Sequence, residues 1–233
     1  MINDQFSIFR QFSMIKIQNS KRGKFITIYG VNNIGKTTHA RLLVKRLKKE
    51  GFDAIYIKYP IYNLEPTGKR LNVILRGSTG RRPAAGQPVS EKELQTLFKQ
   101  NRSDFEPQLK QMLKTGKVVV AEDYTGTGIA WGMAKGLTRS FIEKLNAPLL
   151  KENFSILLTG HPDSRAKEAN HLHEQNAPLL KKVNKIFIQL GEKYAWHRIK
   201  IAPSIEDTAK AIWRTVEGFL RKKIRVKKAI LKT

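Results

Sequence analysis

The chain has 233 residues, 44 of them Lys or Arg against 19 Asp or Glu, and no cysteine. Disulfides and thiolate metal centres are excluded. No apolar run reaches the ~20 residues of a membrane span, so the sequence reads as a cytoplasmic protein with one sizeable α/β domain.

Residues 1–22 read as an N-terminal extension. Phe6, Ile8, Phe9, Phe12, Met14 and Ile15 are apolar, but no uninterrupted core or small-residue cleavage site makes a secretion signal. Phe25-Ile26-Thr27-Ile28-Tyr29 predicts a buried strand. Ala40, Leu42, Leu43 and Leu47 lie near helical spacing, predicting a helix from Thr38 to about Glu50 with Gly51 as its stop. Ala54–Tyr59 predicts a second strand, ended by Pro60. Residues 62–90 hold most of the irregular sequence, a short helix at Lys69–Leu75 followed by a Gly/Pro/Arg-rich loop from Gly77 to Pro88. Ser90, with Glu93 at the capping-box position, opens a long helix toward Leu113 that Pro107 kinks or breaks. Lys117–Ala121 and Phe154–Thr159 predict the third and fourth strands, Ala177–Leu190 a helix, and Trp196–Ile201 the last strand. Ser204 caps a final helix through Ile212, Trp213, Val216 and Phe219. Beyond a domain at residues 23–220 lies a basic tail, residues 221–233. No aromatic residue interleaves with its charges from Arg221 to Lys228, so it reads as solvated, with a nucleic-acid arm as the alternative.

Alternating strands and helices, with short continuous apolar strands, predict a parallel β-sheet with helices on both faces. Ligands then bind beyond the carboxyl ends of the strands. Just there, after the first strand, stands Gly30-Val31-Asn32-Asn33-Ile34-Gly35-Lys36-Thr37, a complete G-x-x-x-x-G-K-[ST] pattern between strand and helix. Glycines let backbone N–H groups wrap phosphate oxygens, and the helix N-terminus adds a favourable dipole. Gly30, Asn33, Ile34, Gly35, Lys36, Thr37 and Thr38 are therefore candidate nucleotide contacts. Lys36 would reach the β- and γ-phosphates, and the Thr37 hydroxyl would bind magnesium.

Two further segments follow strand ends. After strand two come Tyr59-Pro60 and Glu65-Pro66-Thr67-Gly68, and after strand three comes Glu122-Asp123-Tyr124-Thr125-Gly126-Thr127-Gly128. Between them, Phe98 and Arg102 are four residues apart and share one helix face. A ring and a guanidinium there would stack on a base and bond its edge.

With these segments in this order, the chain resembles the thymidylate kinase family from Lys24 to about Leu220. The resemblance implies the P-loop NTPase fold, ATP and Mg2+ as cofactors, dTMP as acceptor, a homodimer, and a lid at about residues 160–176. It implies that Phe98 stacks on thymine and Arg102 bonds it, with Tyr59, Pro60, Tyr124 and Thr127 in the monophosphate pocket. Lys36 and Glu122 are then catalytic, and Thr37 and Glu122 hold the metal. The chain departs from the family pattern at Asn32, where relatives carry an acid, and at Asn33, where some carry a catalytic Arg. Leu64 precedes Glu65-Pro66 where the family has Arg, and Asp123 replaces the Arg that grips the acceptor phosphate. Arg165, with Lys167 nearby, is the expected donor-side cation, and Arg102 or a basic residue of 69–82 the expected acceptor-side one. Alternation along the strand predicts that Glu122 faces the site and Asp123 turns away. These departures leave two alternatives, a kinase for another monophosphate and a catalytically weak nucleotide-binding protein whose basic termini bind nucleic acid. His171 and His173 read as surface residues, since no further ligand completes a metal site with them.

Overall fold

The computed structural model describes residues 22–76, 89–160 and 177–230. Five strands run in one all-parallel sheet: β1 (Lys24–Tyr29), β2 (Ala54–Lys58), β3 (Val118–Glu122), β4 (Phe154–Thr159) and β5 (His197–Lys200). Their order across the sheet is β2-β3-β1-β4-β5. β1 thus lies at the centre, and the chain leaves it where connections diverge to either side, the place where open α/β sheets bind ligands. Register sets Ile28 beside Glu122, and Glu122 beside Lys58, so the ends of β1, β2 and β3 are level. β3 is buried along its whole length and β1 from its second residue on, as parallel strands covered on both faces require.

The helices are α1 (Lys36–Lys49), α2 (Thr67–Arg76), α3 (Glu91–Lys114), α4 (Thr125–Ala134), α5 (Arg139–Asn146), α6 (Ala177–Lys193) and α7 (Ile205–Ile230). The expected capping box is formed: the Ser90 hydroxyl accepts from the Glu93 N–H, and Glu93 accepts from the Ser90 N–H. α3 passes through Pro107 without a break. The Ser204 hydroxyl accepts from the Asp207 N–H at 3.0 Å at the start of α7, which continues past residue 220. α2 begins at Thr67, two residues before the expected start.

Two helices were not expected. α4 carries Gly126, Gly128 and Gly132, and glycine costs about 1 kcal/mol in a helix relative to alanine. Close packing accounts for all three. A Cβ at Gly126 would lie 2.5 Å from the Trp196 ring and 3.0 Å from Tyr29, at Gly128 3.0 Å from Arg102, and at Gly132 3.2 Å from Ile142. α5 starts from Thr138, whose hydroxyl accepts from the Phe141 N–H at 3.4 Å, a local signal present in the sequence.

Tyr29 and Trp196 stack with centroids 4.3 Å apart, and the Tyr29 hydroxyl donates to Glu152 at 2.7 Å. Trp196 therefore stands just before β5 rather than in it. Because two rigid rings, one of them fully buried, block the space at residue 126, Gly126→Ala is expected to destabilise the fold by about 1–3 kcal/mol despite the better helix propensity of alanine. A thermal melt unchanged or raised in that variant would refute this packing account.

Candidate active site

The loop after β1 is built from left-handed conformations. Gly30 has φ 147°, Asn33 φ 62° and Gly35 φ 91°. At Gly30 a side chain would also meet Ile34 and the Leu158 carbonyl at 2.9 Å, so only glycine fits. Gly35 immediately precedes α1, whose first-turn N–H groups point into the loop. Lys36 folds back over the loop, donating to the carbonyls of Gly30 (2.9 Å) and Val31 (3.0 Å).

Glu122, at the end of β3, faces this loop. Its Oε1 accepts from the Thr37 hydroxyl at 2.8 Å and lies 3.1 Å from the Lys58 Nζ, while its Oε2 accepts from the Tyr56 hydroxyl. Burial pushes the Glu122 carboxyl up, but Lys58, Tyr56, Lys36 and Thr37 outweigh it and hold it below the ordinary glutamate value. Thr37 and Glu122 present adjacent hard oxygen donors, and no cluster of three or more His, Cys, Asp or Glu exists among the described residues. This set suits magnesium, which keeps several waters and takes its other ligands from phosphates.

Asp123 does not turn away. Its φ is 62°, a left-handed conformation that ends the strand's alternation, and both Glu122 and Asp123 line the cleft. Asp123 Oδ1 accepts from the Thr127 hydroxyl at 2.7 Å and lies 3.8 Å from the Lys36 Nζ. Burial, with Glu122 adding to it, raises the Asp123 pKa above the ordinary aspartate value. Of the two neighbouring carboxyls, the surroundings of Glu122 favour its ionised form and the burial of Asp123 favours its neutral one.

The cleft has a volume of about 880 Å³. Asn33, Ile34, Gly35, Lys36, Thr37 and Thr38 form its floor. On one side stand Tyr59, Pro60, Phe98, Arg102, Thr127 and Trp131. Arg102 is 4 % exposed and donates to Asn146 at 3.1 Å, and burial draws its pKa below the ordinary arginine value. Asn101 ties α3 to the segment after β2: its Nδ2 donates to the Ile61 carbonyl at 3.0 Å and its Oδ1 accepts from the Ile61 N–H at 2.8 Å. On the other side stand Gly160, Lys200 and the residues from Ile201 to Ile205 that lead into α7.

Of the expected contacts, Tyr124 is not on the cleft wall. It is fully buried, edge-on to Phe25 at 4.9 Å and 5.1 Å from Tyr59, so its ring is a core residue that supports Tyr59 from behind. Gly30 contributes its carbonyl to Lys36 rather than a wall. Arg165, Lys167, His171 and His173 lie outside the described residues. Among the cleft-related residues that sequence reading missed are Asn101, Gln95 and His39. His39 follows Thr38 on α1, lines the cleft against Gly35, and is buried, which lowers its imidazole pKa. Its signal was adjacency to the loop motif. The polar residues of α3 carried none.

Residues 28–212 match the family model described as Thymidylate kinase. A relative described as "Probable thymidylate kinase" in Thermococcus onnurineus is 31 % identical over 210 residues, covering 85 % of this chain and 100 % of its own length. The thymidylate kinase of African swine fever virus is 29 % identical over 138 residues, covering 59 % of this chain and 52 % of its own. A solved thymidylate kinase from Candida albicans shares the fold with a TM-score of 0.70, at 22 % identity, covering 84 % of this chain and 92 % of that one. Among the described residues no helix is long and apolar enough to cross a membrane. A match across most of the chain, joined to a phosphate loop that faces Phe98 and Arg102 across one cleft, places this protein in the thymidylate kinase family.

Proposed function

We propose that the chain transfers the γ-phosphoryl group of ATP to dTMP, giving ADP and dTDP, with magnesium. The observation that carries this reading is that Lys36, Glu122, Phe98 and Arg102 all line one cleft. An oxygen of the acceptor phosphate attacks the γ-phosphorus, and the bond to the ADP oxygen breaks. Phosphoryl transfer is chiefly positioning and stabilisation of charge on the equatorial oxygens. Lys36, released from the loop carbonyls, neutralises that charge, and the loop N–H groups hold the β-phosphate. Thr37 and Glu122 would hold magnesium, which when bound would supply charge neutralisation at the phosphate oxygens. Phe98 stacks on the acceptor base and Arg102 donates to it. Lys58, which lines the cleft beside Glu122, serves the acceptor phosphate where the family pattern has its Arg at position 123. Arg165 remains the proposed donor-side cation.

The test is a coupled assay with ATP and a panel of nucleoside monophosphates. The expected result is the highest kcat/KM with dTMP. A higher value with another monophosphate, or no turnover at all, would overturn the reading.

Asp123 makes a second expectation concrete. An ionised carboxylate on the cleft wall repels the acceptor phosphate, and like charges ~4 Å apart interact by about 1 kcal/mol in bulk water and about 4 kcal/mol at the effective dielectric of a protein surface. Asp123→Asn is therefore expected to raise kcat/KM for dTMP by roughly 5-fold or more at pH 8. The sign with pH follows from the raised pKa: as pH falls through it, the wild-type carboxyl becomes neutral and the repulsion vanishes. The ratio of variant to wild type should then shrink toward one on the acid side. A ratio independent of pH would show that Asp123 charge does not act on the acceptor.

A further inference from the structure

The wall of α3 carries a group that the reading above does not use. Gln95, Phe98 and Arg102 lie at i, i+3 and i+7 and so share one face of the helix. Gln95 is 2 % exposed and lines the cleft. Its Nε2 donates to Glu91 Oε1 at 2.8 Å, and the other oxygen of Glu91 is held by Lys135 at 2.8 Å. A carboxylate takes only donors, so this bond fixes which end of the amide is which. The remaining atom, Oε1, is buried and has no hydrogen-bond partner. Such a carbonyl left unpaired costs roughly 1–3 kcal/mol.

That oxygen does not stand alone in the wall. A Cβ on Gly128 would lie 3.1 Å from it and 3.0 and 3.2 Å from the two Arg102 terminal nitrogens. The acceptor oxygen and the guanidinium donors therefore border one small space that the missing side chain at 128 leaves open.

We propose that Gln95 is a specificity-determining residue for the acceptor base, its side-chain oxygen accepting the base N–H while Arg102 donates to the adjoining carbonyl. Thymine, linked to its sugar through N1, has a single free N–H, at N3, flanked by two carbonyls. An acceptor beside a cluster of donors is the complement of that edge. The Thr127 hydroxyl is another oxygen on this wall that could accept, but it lies 2.7 Å from Asp123 Oδ1, itself 3.8 Å from the Lys36 Nζ, so its position puts it toward the phosphate end. Among the described residues none donates to Gln95 Oε1, which leaves it open to a ligand.

The inference rests on the assignment of the Phe98–Arg102 face to the acceptor base, and the experiment separates the two. Steady-state constants are measured for dTMP and for N3-methyl-dTMP, which lacks the N–H, with wild type, Gln95→Ala, Gln95→Met and Phe98→Ala, alongside thermal melts. Wild type should prefer dTMP by roughly 100-fold in kcat/KM, and both Gln95 variants should narrow that preference at least tenfold, mainly through KM for dTMP. Gln95→Met keeps the volume, so a loss seen in both variants is not one of packing. A Gln95 variant that melts lower but keeps the full preference would show a structural role and overturn the proposal. If Phe98→Ala raises KM for dTMP while neither Gln95 variant changes KM or the preference, only the Gln95 assignment falls. If Phe98→Ala leaves KM unchanged, the acceptor-base assignment falls and takes the Gln95 proposal with it.

Discussion

Lys36→Ala is expected to lower kcat by about 10³–10⁵-fold while leaving the protein folded. One cation at a transferring phosphoryl group is worth about that much, and Lys36 is the side chain that the loop itself presents. It is 6 % exposed, held between the carbonyls of Gly30 and Val31, and 3.8 Å from Asp123. None of those contacts is a deep anchor. They are the resting partners of a group that can exchange them for phosphate oxygens at little cost. The loop's shape depends instead on Gly30, Asn33 and Gly35 and on the start of α1, which the substitution does not touch. The measurement is single-turnover phosphoryl transfer at saturating ATP and dTMP, with a melt as control. A variant within tenfold of wild type and equally stable would sink the assignment of Lys36 to the transferring group.

Glu122→Gln is expected to lower kcat by about 10²–10³-fold and to raise the magnesium concentration needed for half-maximal rate by about 10- to 100-fold. The carboxylate accepts on both oxygens, from Thr37 and Lys58 on one and from Tyr56 on the other. An amide turned with its nitrogen toward Thr37 and Lys58 sets a donor against the Lys58 ammonium, while one turned toward Tyr56, whose hydroxyl can accept, keeps an oxygen for Thr37 and Lys58 but not the charge. Thr37 would then lose the partner that aims its hydroxyl, or Lys58 the charge that holds it at the cleft wall. Magnesium titration distinguishes this from a general loss of fold, because excess metal should recover part of the rate. If rate and magnesium dependence were both unchanged, Glu122 would be a structural carboxylate and no more.

The parts of this molecule legible from sequence are those whose physics is local. The phosphate loop needs glycine at fixed places, buried parallel strands need continuous apolar runs, and the α3 and α7 starts need Ser90 and Ser204. What escaped is set by distant partners. No helix was expected at α4, whose glycines disfavour one, and only the rings of Tyr29 and Trp196 and the side chains of Gln95, Arg102 and Ile142 explain why glycine is needed in a helix there. Asp123 was expected to alternate away from Glu122, and one left-handed residue reversed that. Tyr124 sat next to ligand-like residues in sequence but packs on Phe25. Gln95 and Asn101 carry no local signal, because their burial depends on α4 and the segment after β2 coming to meet them.

Gly126 and Gly128 lie two residues apart on α4 and meet opposite neighbours, one the Tyr29–Trp196 stack and the other the Arg102–Gln95 pair. The helix therefore divides two kinds of inheritance. Changes on the ring side act on stability, and a smaller residue at 29 or 196 would offset them. If Gln95 reads the acceptor base as proposed, changes on the cleft side act on which nucleotide is phosphorylated. A lineage could then retune its choice of substrate through position 128 and its two partners on α3 while the scaffold behind them stays as it was.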